Sequence, residues 1–291
     1  MIDIIILMNN DIDSLIKTLG SISFQNQNDI NVIIVNGTEI DLNKKLDIFS
    51  DLNIKIIKCV SSNLRNCGLR NVKSPYLLFI NSGDLLYNCF SIKSIISDSK
   101  DFDLISGKIA FYYDDKVDFY DNMNRYFYGK LYSKEFIDKY KLKFNNSKYY
   151  SDMAFNKLYL MCKPRDGLCR KEIYFTCNRI EDDNSREYIV DYCKSFKSCI
   201  EEAIKKEIPN KEISKTVYSN MVYLYNKYNI NYDKKYVNDI FKIGKDIYKY
   251  YLQFIKSLSL SDRDRINLNY RLNIDYKCSV EEFIDMFTVK R

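Results

Sequence analysis

Leu64-Arg65-Asn66-Cys67-Gly68-Leu69-Arg70-Asn71-Val72-Lys73-Ser74-Pro75-Tyr76-Leu77-Leu78-Phe79-Ile80-Asn81-Ser82-Gly83-Asp84 is the stretch on which the fold turns. It opens as a short helix, predicted over Asn66 to Lys73, and continues into Tyr76 to Ile80, an unbroken apolar run of strand length. A run of that kind suits a strand buried on both faces, as parallel strands are. It stops abruptly at four small or polar residues, Asn81-Ser82-Gly83-Asp84.

The same pattern repeats upstream. Ile2 to Met8 reads as a buried strand, followed by Asn9-Asn10. Ser14 to Phe24 has helical spacing through Leu15, Leu19 and Ile22, with Asp11 or Asp13 placed to cap it. Val32 to Val35 is a second strand, ending in the turn Asn36-Gly37-Thr38. A helical stretch near Leu42 to Phe49 leads to a third strand, Ile54 to Val60. Strands separated by helices predict an α/β fold with a mostly parallel sheet. Such sheets bind ligands beyond the carboxyl ends of their strands, which makes Asn10, Asn36, Asn81, Ser82 and Asp84 candidate site residues.

Composition removes several chemistries. The 291 residues contain no histidine, so imidazole acid–base work and Ser-His or Cys-His dyads are excluded, and a general base must be a carboxylate or, less often, Lys, Tyr or Cys. Nine cysteines include no C-x-x-C pair, which argues against a metal cluster or disulfide framework and for a reducing, cytoplasmic home. The only apolar run at the start is Ile4 to Met8 behind Asp3, a strand rather than a signal peptide, and no later run is long enough to span a bilayer. The net charge of +6 is spread along the chain and fits an anionic small substrate without demanding nucleic acid. Tyrosine stands at 26 against no tryptophan; Asn, Lys and Ile rise with it, as AT-rich coding produces.

These residues resemble the family-2 glycosyltransferases. Ile5-Ile6-Leu7-Met8-Asn9-Asn10 is similar to that family's first strand and I-I-P-x-Y-N turn, and Ser21-Ile22-Ser23-Phe24-Gln25 to its S-I-L-x-Q. Val32-Ile33-Ile34-Val35 resembles its second strand, with Asn36-Gly37-Thr38 where D-D-G-S is usual. Leu64 to Leu69 resembles A-R-N-x-G-I, and Phe79 to Asp84 resembles F-L-D-x-D-D in its variant F-L-N-S-G-D. Gly129 to Glu135 is similar to the later K-L-Y-x-x-E, and Tyr150 to Phe155 to E-D-x-x-F. The resemblance covers roughly residues 1 to 185.

The resemblance implies a GT-A catalytic domain and inverting transfer from a nucleotide-diphosphate sugar, a UDP-sugar in first place, to an acceptor hydroxyl on a glycan, wall polymer or other macromolecule. Asp84 then holds a divalent Mn or Mg ion, and Arg65, Asn10, Asn36, Asn81 and Ser82 contact the nucleotide sugar. Asn81 and Gly83 replace the motif's first and third acids, so metal binding is expected to be weak or to lean on substrate phosphates. Asp152 is the implied general base, with Ser151 where the family has glutamate. Plain alternatives accompany the main calls: a turn or helix cap for Asp84, a turn for Asn36, a cap for Ser151 or Asp152, a solvated surface for Arg65. At the level of the whole chain the alternatives are a binding module that has lost catalysis, or a transferase acting on modified nucleic acid.

Asp182-Asp183-Asn184-Ser185 is a polar break, dividing a catalytic domain, 1–185, from a helical subdomain, 186–291. Helices are predicted at Ile189 to Ile208, Glu212 to Tyr228, Tyr236 to Leu258 and Ser279 to Phe287. In the third, Ile240, Ile243, Ile247, Tyr251, Phe254 and Leu258 form a stripe with Lys242, Lys245, Lys249 and Lys256 interspersed. The stripe suits packing inside the protein, a peripheral contact with the inner face of an anionic membrane, or a homo-oligomer contact.

Overall fold

Ile2–Met8 forms strand β1, every residue of it buried. β2 (Ile30–Asn36) and β4 (Tyr76–Asn81) pair with it in parallel on either side, and β3 (Asn53–Lys58) continues in parallel beyond β2. Neighbours on both edges and cover on both faces explain why β1, β2 and β4 are runs of Ile, Val and Leu rather than alternations. One face packs helix α1 (Ile12–Ser23), through Leu15, Leu19 and Ile22, and α3 (Ser91–Ser97), through Ile92 and Ile95, onto Ile4, Ile6, Ile34, Leu78 and Ile80. Asp11 caps α1 by accepting from the Ser14 amide at 2.8 Å. The other face takes α2 (Leu64–Leu69); a Cβ on Gly68 would lie 2.5 Å from Ile5 Cγ2, so only glycine lets the helix sit this close. The structure is a computed structural model that describes residues 1–8, 11–42, 45–59, 63–97, 101–121, 127–176, 186–230, 245–269 and 279–285.

The rest of the sheet departs from the parallel pattern. β8 (Lys130–Ser133) lies antiparallel to β4, β6 (Leu104–Tyr113) antiparallel to β8, β9 (Asp166–Thr176) parallel to β6, and β5 (Leu85–Leu86) antiparallel to β9. β7 (Lys116–Tyr120) folds back on β6 through Asp114 and Asp115, both at positive φ, the backbone of a tight two-residue hairpin. The order is β3-β2-β1-β4-β8-β6-β9-β5, with β7 on β6, so the expected mostly parallel sheet is parallel in its first half and mixed in its second. Of the helix expected near Leu42 to Phe49, the described residues show one 3-10 turn, Asp47–Phe49, and Leu42, Leu46 and Phe49 are buried in the core.

The chain forms two compact units. The first holds Met1–Phe144 and Lys163–Glu181, and so the whole sheet with α1, α2, α3 and α4 (Lys134–Lys139). The second holds Asn145–Cys162 and Asp182–Arg291. Asn145–Cys162, which the sequence reading groups with residues 1–185, therefore cluster with the C-terminal helices; the break at 182–185 lies outside the described residues.

In the second unit α5 (Ser151–Met161) packs on α6 (Arg186–Lys205) and α7 (Asn210–Ile230), followed by α8 (residues 245–254), α9 (Leu260–Asn269) and α10 (Val280–Asp285). Aromatic rings fill this core: Tyr192 stacks on Tyr223 at 4.3 Å and meets Tyr150 edge-on at 5.2 Å. Of the stripe expected over Tyr236 to Leu258, Ile240 and Ile243 lie outside the described residues, while Ile247, Phe254 and Leu258 are buried. Those three positions pack inward. Among the described residues no helix is long and apolar enough to cross a membrane.

Candidate functional site

Strand register fixes one edge of the parallel half. Met8 lies level with Asn36, Asn36 with Lys58, and Leu7 with Asn81, so the residues after β1, β2 and β4 emerge together. Asn10, expected there, lies outside the described residues.

The loop after β4 is held from two directions. Ser82 N donates to Leu7 O at 3.2 Å, carrying β4 one residue further along β1. Thr18 of α1 donates its hydroxyl to Asp84 O at 2.8 Å and accepts from Gly83 N at 2.9 Å. Gly83 has φ +101°, a conformation strained for any L side chain; the loop is built on glycine where the family motif carries an acid. Asp84 is buried, and its Oδ2 accepts from the Tyr174 hydroxyl at 2.6 Å and from Asn81 Nδ2 at 3.2 Å. Burial, with the Asp84 charge beside it, pushes the Tyr174 hydroxyl well above the ordinary phenol range, so Tyr174 remains a proton donor to the carboxylate.

Asn36 is a turn builder. Its Nδ2 donates to Ile40 O at 2.8 Å, while its Oδ1 accepts from Thr38 N at 2.9 Å and Thr38 Oγ1 at 2.8 Å. The amide closes its own loop, which is the plainer of the two readings that the sequence allowed.

Arg65 stands one residue into α2 rather than ahead of it, because the helix begins at Leu64 with Asn63 as its cap. The start of α2 adjoins the turn after β2: a Cβ on Gly37 would lie 2.8 Å from Leu64 Cδ1 and 3.3 Å from Met8 O. The Arg65 guanidinium lies over Phe127 at 5.2 Å and Phe144 at 5.9 Å. Its Nε is buried without a hydrogen-bond partner, and among the described residues no carboxylate pairs with it. Asn66 holds Phe144 beneath it, donating to Phe144 O at 2.8 Å and accepting from Phe144 N at 2.9 Å.

Rings join Arg65 to Asp84. Phe127 contacts Tyr128 at 4.9 Å, Tyr128 contacts Tyr174 at 5.1 Å, and Tyr174 donates to Asp84. Two of the three principal residues read from the sequence are thus parts of one constellation. Thr18, Phe127, Tyr128 and Tyr174 belong to it and were missed. Thr18 left a trace, a hydroxyl on the apolar face of α1; the aromatics left none among so many tyrosines and phenylalanines.

Asp152 belongs to the second unit. It is buried in the first turn of α5, whose cap is Tyr150 with no side-chain bond, so neither Ser151 nor Asp152 is the cap residue. Ser151 instead donates to Asn145 O at 2.9 Å.

Among the described residues no three His, Cys, Asp or Glu side chains cluster to hold a metal. A Mg- or Mn-type ion riding on phosphates asks for only one or two carboxylates, the other ligands being water and phosphate oxygens. Asp84, a hard oxygen donor fixed by Tyr174 and Asn81, fits that lesser requirement. One expectation needs correcting nearby. Cys59, just past β3, is bridged to Cys67 of α2, at a spacing of eight residues that C-x-x-C reasoning does not detect.

No protein-family model matches the chain, and no curated protein matches it in sequence. Solved structures do. Residues 1–349 of S. aureus TarS superpose with a TM-score of 0.70 at 13% identity, over 93% of this chain and 91% of that one. The same protein in complex with UDP-GlcNAc gives 0.69 at 13% identity over the same shares. The mannosyltransferase PcManGT from Pyrobaculum calidifontis, in complex with GDP-Man and Mn2+, gives 0.53 at 10% identity over 99% and 84%. At these identities the likeness is one of fold, and the fold of this chain is the GT-A α/β fold of glycosyltransferase structures.

Proposed function

We propose that the chain is an inverting glycosyltransferase that moves a sugar from a nucleotide-diphosphate donor, UDP-linked in first place, to a hydroxyl of a glycan, wall polymer or other macromolecule. The observation that carries this reading is Arg65: a cation with no carboxylate partner among the described residues, seated on two rings at the edge where β1 and β2 end. An arginine in such a place is prepared for an anion supplied from outside, and a diphosphate offers the oxygens its fork matches. The fold adds weight, since structures sharing it are complexes with UDP-GlcNAc and GDP-Man.

Within this reading Arg65 neutralises the leaving diphosphate. Tyr174 and Asn81 hold Asp84 beside it, and the Asn36 loop shapes the nucleotide end. A divalent ion, held by Asp84 when bound, supplies further charge neutralisation to the diphosphate. Asp152 takes the proton of the attacking hydroxyl. Attack from the face opposite the leaving group inverts the anomeric carbon. A binding-only role is favoured by one observation, the engagement of Asp84 Oδ2 by two protein hydrogen bonds.

Thermal unfolding with UDP-, GDP-, CDP- and dTDP-sugars, each with and without Mn or Mg, tests the donor half; at a hundredfold excess over Kd a true donor adds about 2.7 kcal/mol. Stabilisation by none of the four overturns the reading. Asp152→Asn should lower kcat by about 10²–10⁴-fold with little change in donor affinity. A variant that binds the donor but transfers at the native rate removes Asp152 from the chemistry.

A further inference from the structure

We infer that Asp191 of α6 is a positioning residue for Asp152, and that the helices of the second unit serve the proposed transferase by holding its general base; the inference rests on that reading of Asp152. Glu187 and Tyr188, then Asp191, then Ser195 follow one another along α6 at steps of three or four residues, and so share one face. All four engage the segment that leads into α5. Asp191 Oδ1 accepts from Lys148 N at 3.1 Å; its Oδ2 accepts from Tyr149 N at 2.9 Å, from Tyr150 N at 3.2 Å and from the Ser147 hydroxyl. Ser195 Oγ donates to Tyr150 O at 2.9 Å and accepts from Asn145 Nδ2 at 2.9 Å. Tyr149 stacks on Tyr188 at 3.8 Å, and Lys148 pairs with Glu187 at 3.0 Å.

These contacts are unequal. The Lys148–Glu187 pair is mostly exposed, and water and salt leave such a pair little weight. A carboxylate that gathers three consecutive amides and a hydroxyl makes charge-assisted hydrogen bonds, each roughly twice as strong as a neutral one. Asp191 is therefore the member of the clasp whose loss should be felt.

The place of the clasp gives it a task. Helix α5 begins at Ser151 behind Tyr150, whose side chain makes no cap bond, and Asp152 sits in the first turn. A helix start without its own cap is held loosely. Asp191 supplies the missing restraint from another helix, fixing the three residues before Ser151. Ser151 adds its own tie, donating to Asn145 O at 2.9 Å, and the Tyr150 ring is packed edge-on against Tyr192 at 5.2 Å. A general base works only within hydrogen-bond reach of its proton, and a misplacement of about 1 Å costs about 10²-fold in rate.

The native chain, Asp191→Ala, Asp152→Asn and the double variant are compared as whole chains. UDP release from UDP-GlcNAc, UDP-glucose and UDP-galactose is followed with water as acceptor, and UDP-sugar Kd and sites per chain come from titration calorimetry. Hydrogen exchange is read on peptides covering residues 146–152. In Asp191→Ala we expect kcat to fall about 10²-fold with KM, Kd and site number unchanged, and those peptides to exchange at least tenfold faster. Asp191→Asn, which keeps one acceptor oxygen, should lie between the native chain and Asp191→Ala, and guards against misfolding of the alanine variant. The double variant should be no slower than Asp152→Asn, because a residue acting through Asp152 has nothing left to lose. Native exchange in Asp191→Ala overturns the inference, and so does faster exchange with native kcat. A double variant slowed beyond Asp152→Asn by the full Asp191→Ala factor also overturns it, since Asp191 would then act elsewhere. A native chain that releases no UDP, or Asp152→Asn working at the native rate, removes the base and the inference together. Slow Asp152→Asn beside a fully active Asp191→Ala removes the inference alone and leaves the base in place.

Discussion

Arg65 is held by rings rather than by charge, so removing it breaks no ion pair among the described residues and its loss should be felt mainly by the ligand. A charge-assisted hydrogen bond contributes about 1.5–3 kcal/mol, and Arg65→Ala should weaken UDP-sugar binding by roughly 10–100-fold in a titration, with a small change in Tm. Arg65→Lys should recover little, because an ammonium cannot match the planar fork. Lys130 makes the opposite case. Burial pushes its ammonium down to about 7, against an opposing pull from Asp166, and its Nζ donates to Ser106 Oγ at 2.9 Å. From about pH 7 to the ordinary lysine value the unfolded chain holds a proton that the folded chain releases, so the Lys130 contribution to stability rises with pH across that window. Thermal unfolding of Lys130→Met between pH 6 and 9.5 should show a flatter pH dependence than the native chain, with its largest relative gain below pH 7. Parallel curves would show that Lys130 titrates as an ordinary lysine. Arg65 entered the sequence reading through the A-R-N-x-G-I resemblance, and Asp84 through the polar residues that end the β4 run and the motif they resemble. Tyr174 did not enter it, since nothing local separates it from other strand tyrosines; its meaning comes from a partner 90 positions away.

Elements explain what single residues cannot. The strands of the parallel half were readable because a doubly covered strand must be largely apolar, and β1, β2 and β4 carry the runs Ile4 to Met8, Val32 to Val35 and Leu77 to Ile80. β5 has two residues and no periodicity to read; it exists because β9 offers it a ladder. The antiparallel half was hidden for a similar reason, its pairings being set by hairpin geometry at Asp114-Asp115 and by long-range register. At α2, the Cys59–Cys67 bridge clips the segment that leads from β3 to Arg65. Closing a loop of this size constrains the unfolded chain by about 2–3 kcal/mol. Dithiothreitol should therefore lower the Tm of the native chain by several degrees and leave Cys59→Ser unaffected. Equal Tm values with and without reductant would place both cysteines as thiols, in keeping with the expectation of a reducing home.

For the whole molecule, the sequence suggested a cut near residue 185, and the folded chain is interleaved instead. Residues 145–162 belong with the helices, and their backbone is tied there: Asp191 accepts from the amides of Lys148, Tyr149 and Tyr150, and Ser195 donates to Tyr150 O at 2.9 Å. No composition shift marks this crossing, because residues 145–162 read locally like any helix of the first half. A chain ending at 185 should accordingly expose the Tyr150 ring and the α5 face that α6 and α7 cover, bind the dye ANS and aggregate on warming. A 1–185 chain that unfolds cooperatively at the native temperature would show that the first unit keeps its fold without α6 and α7.

β9 is the ninth strand in the chain but lies between β6 and β5 in the sheet. A ribosome that has translated only as far as Arg165 has therefore produced eight strands with a gap among them. β6 is left with an open rim, β5 has nothing to bond to, and the hydroxyl that orients Asp84 is still unmade. The loop that carries Asp84 is assembled late in translation, and until then the nascent polypeptide presents an open seam prone to aggregation.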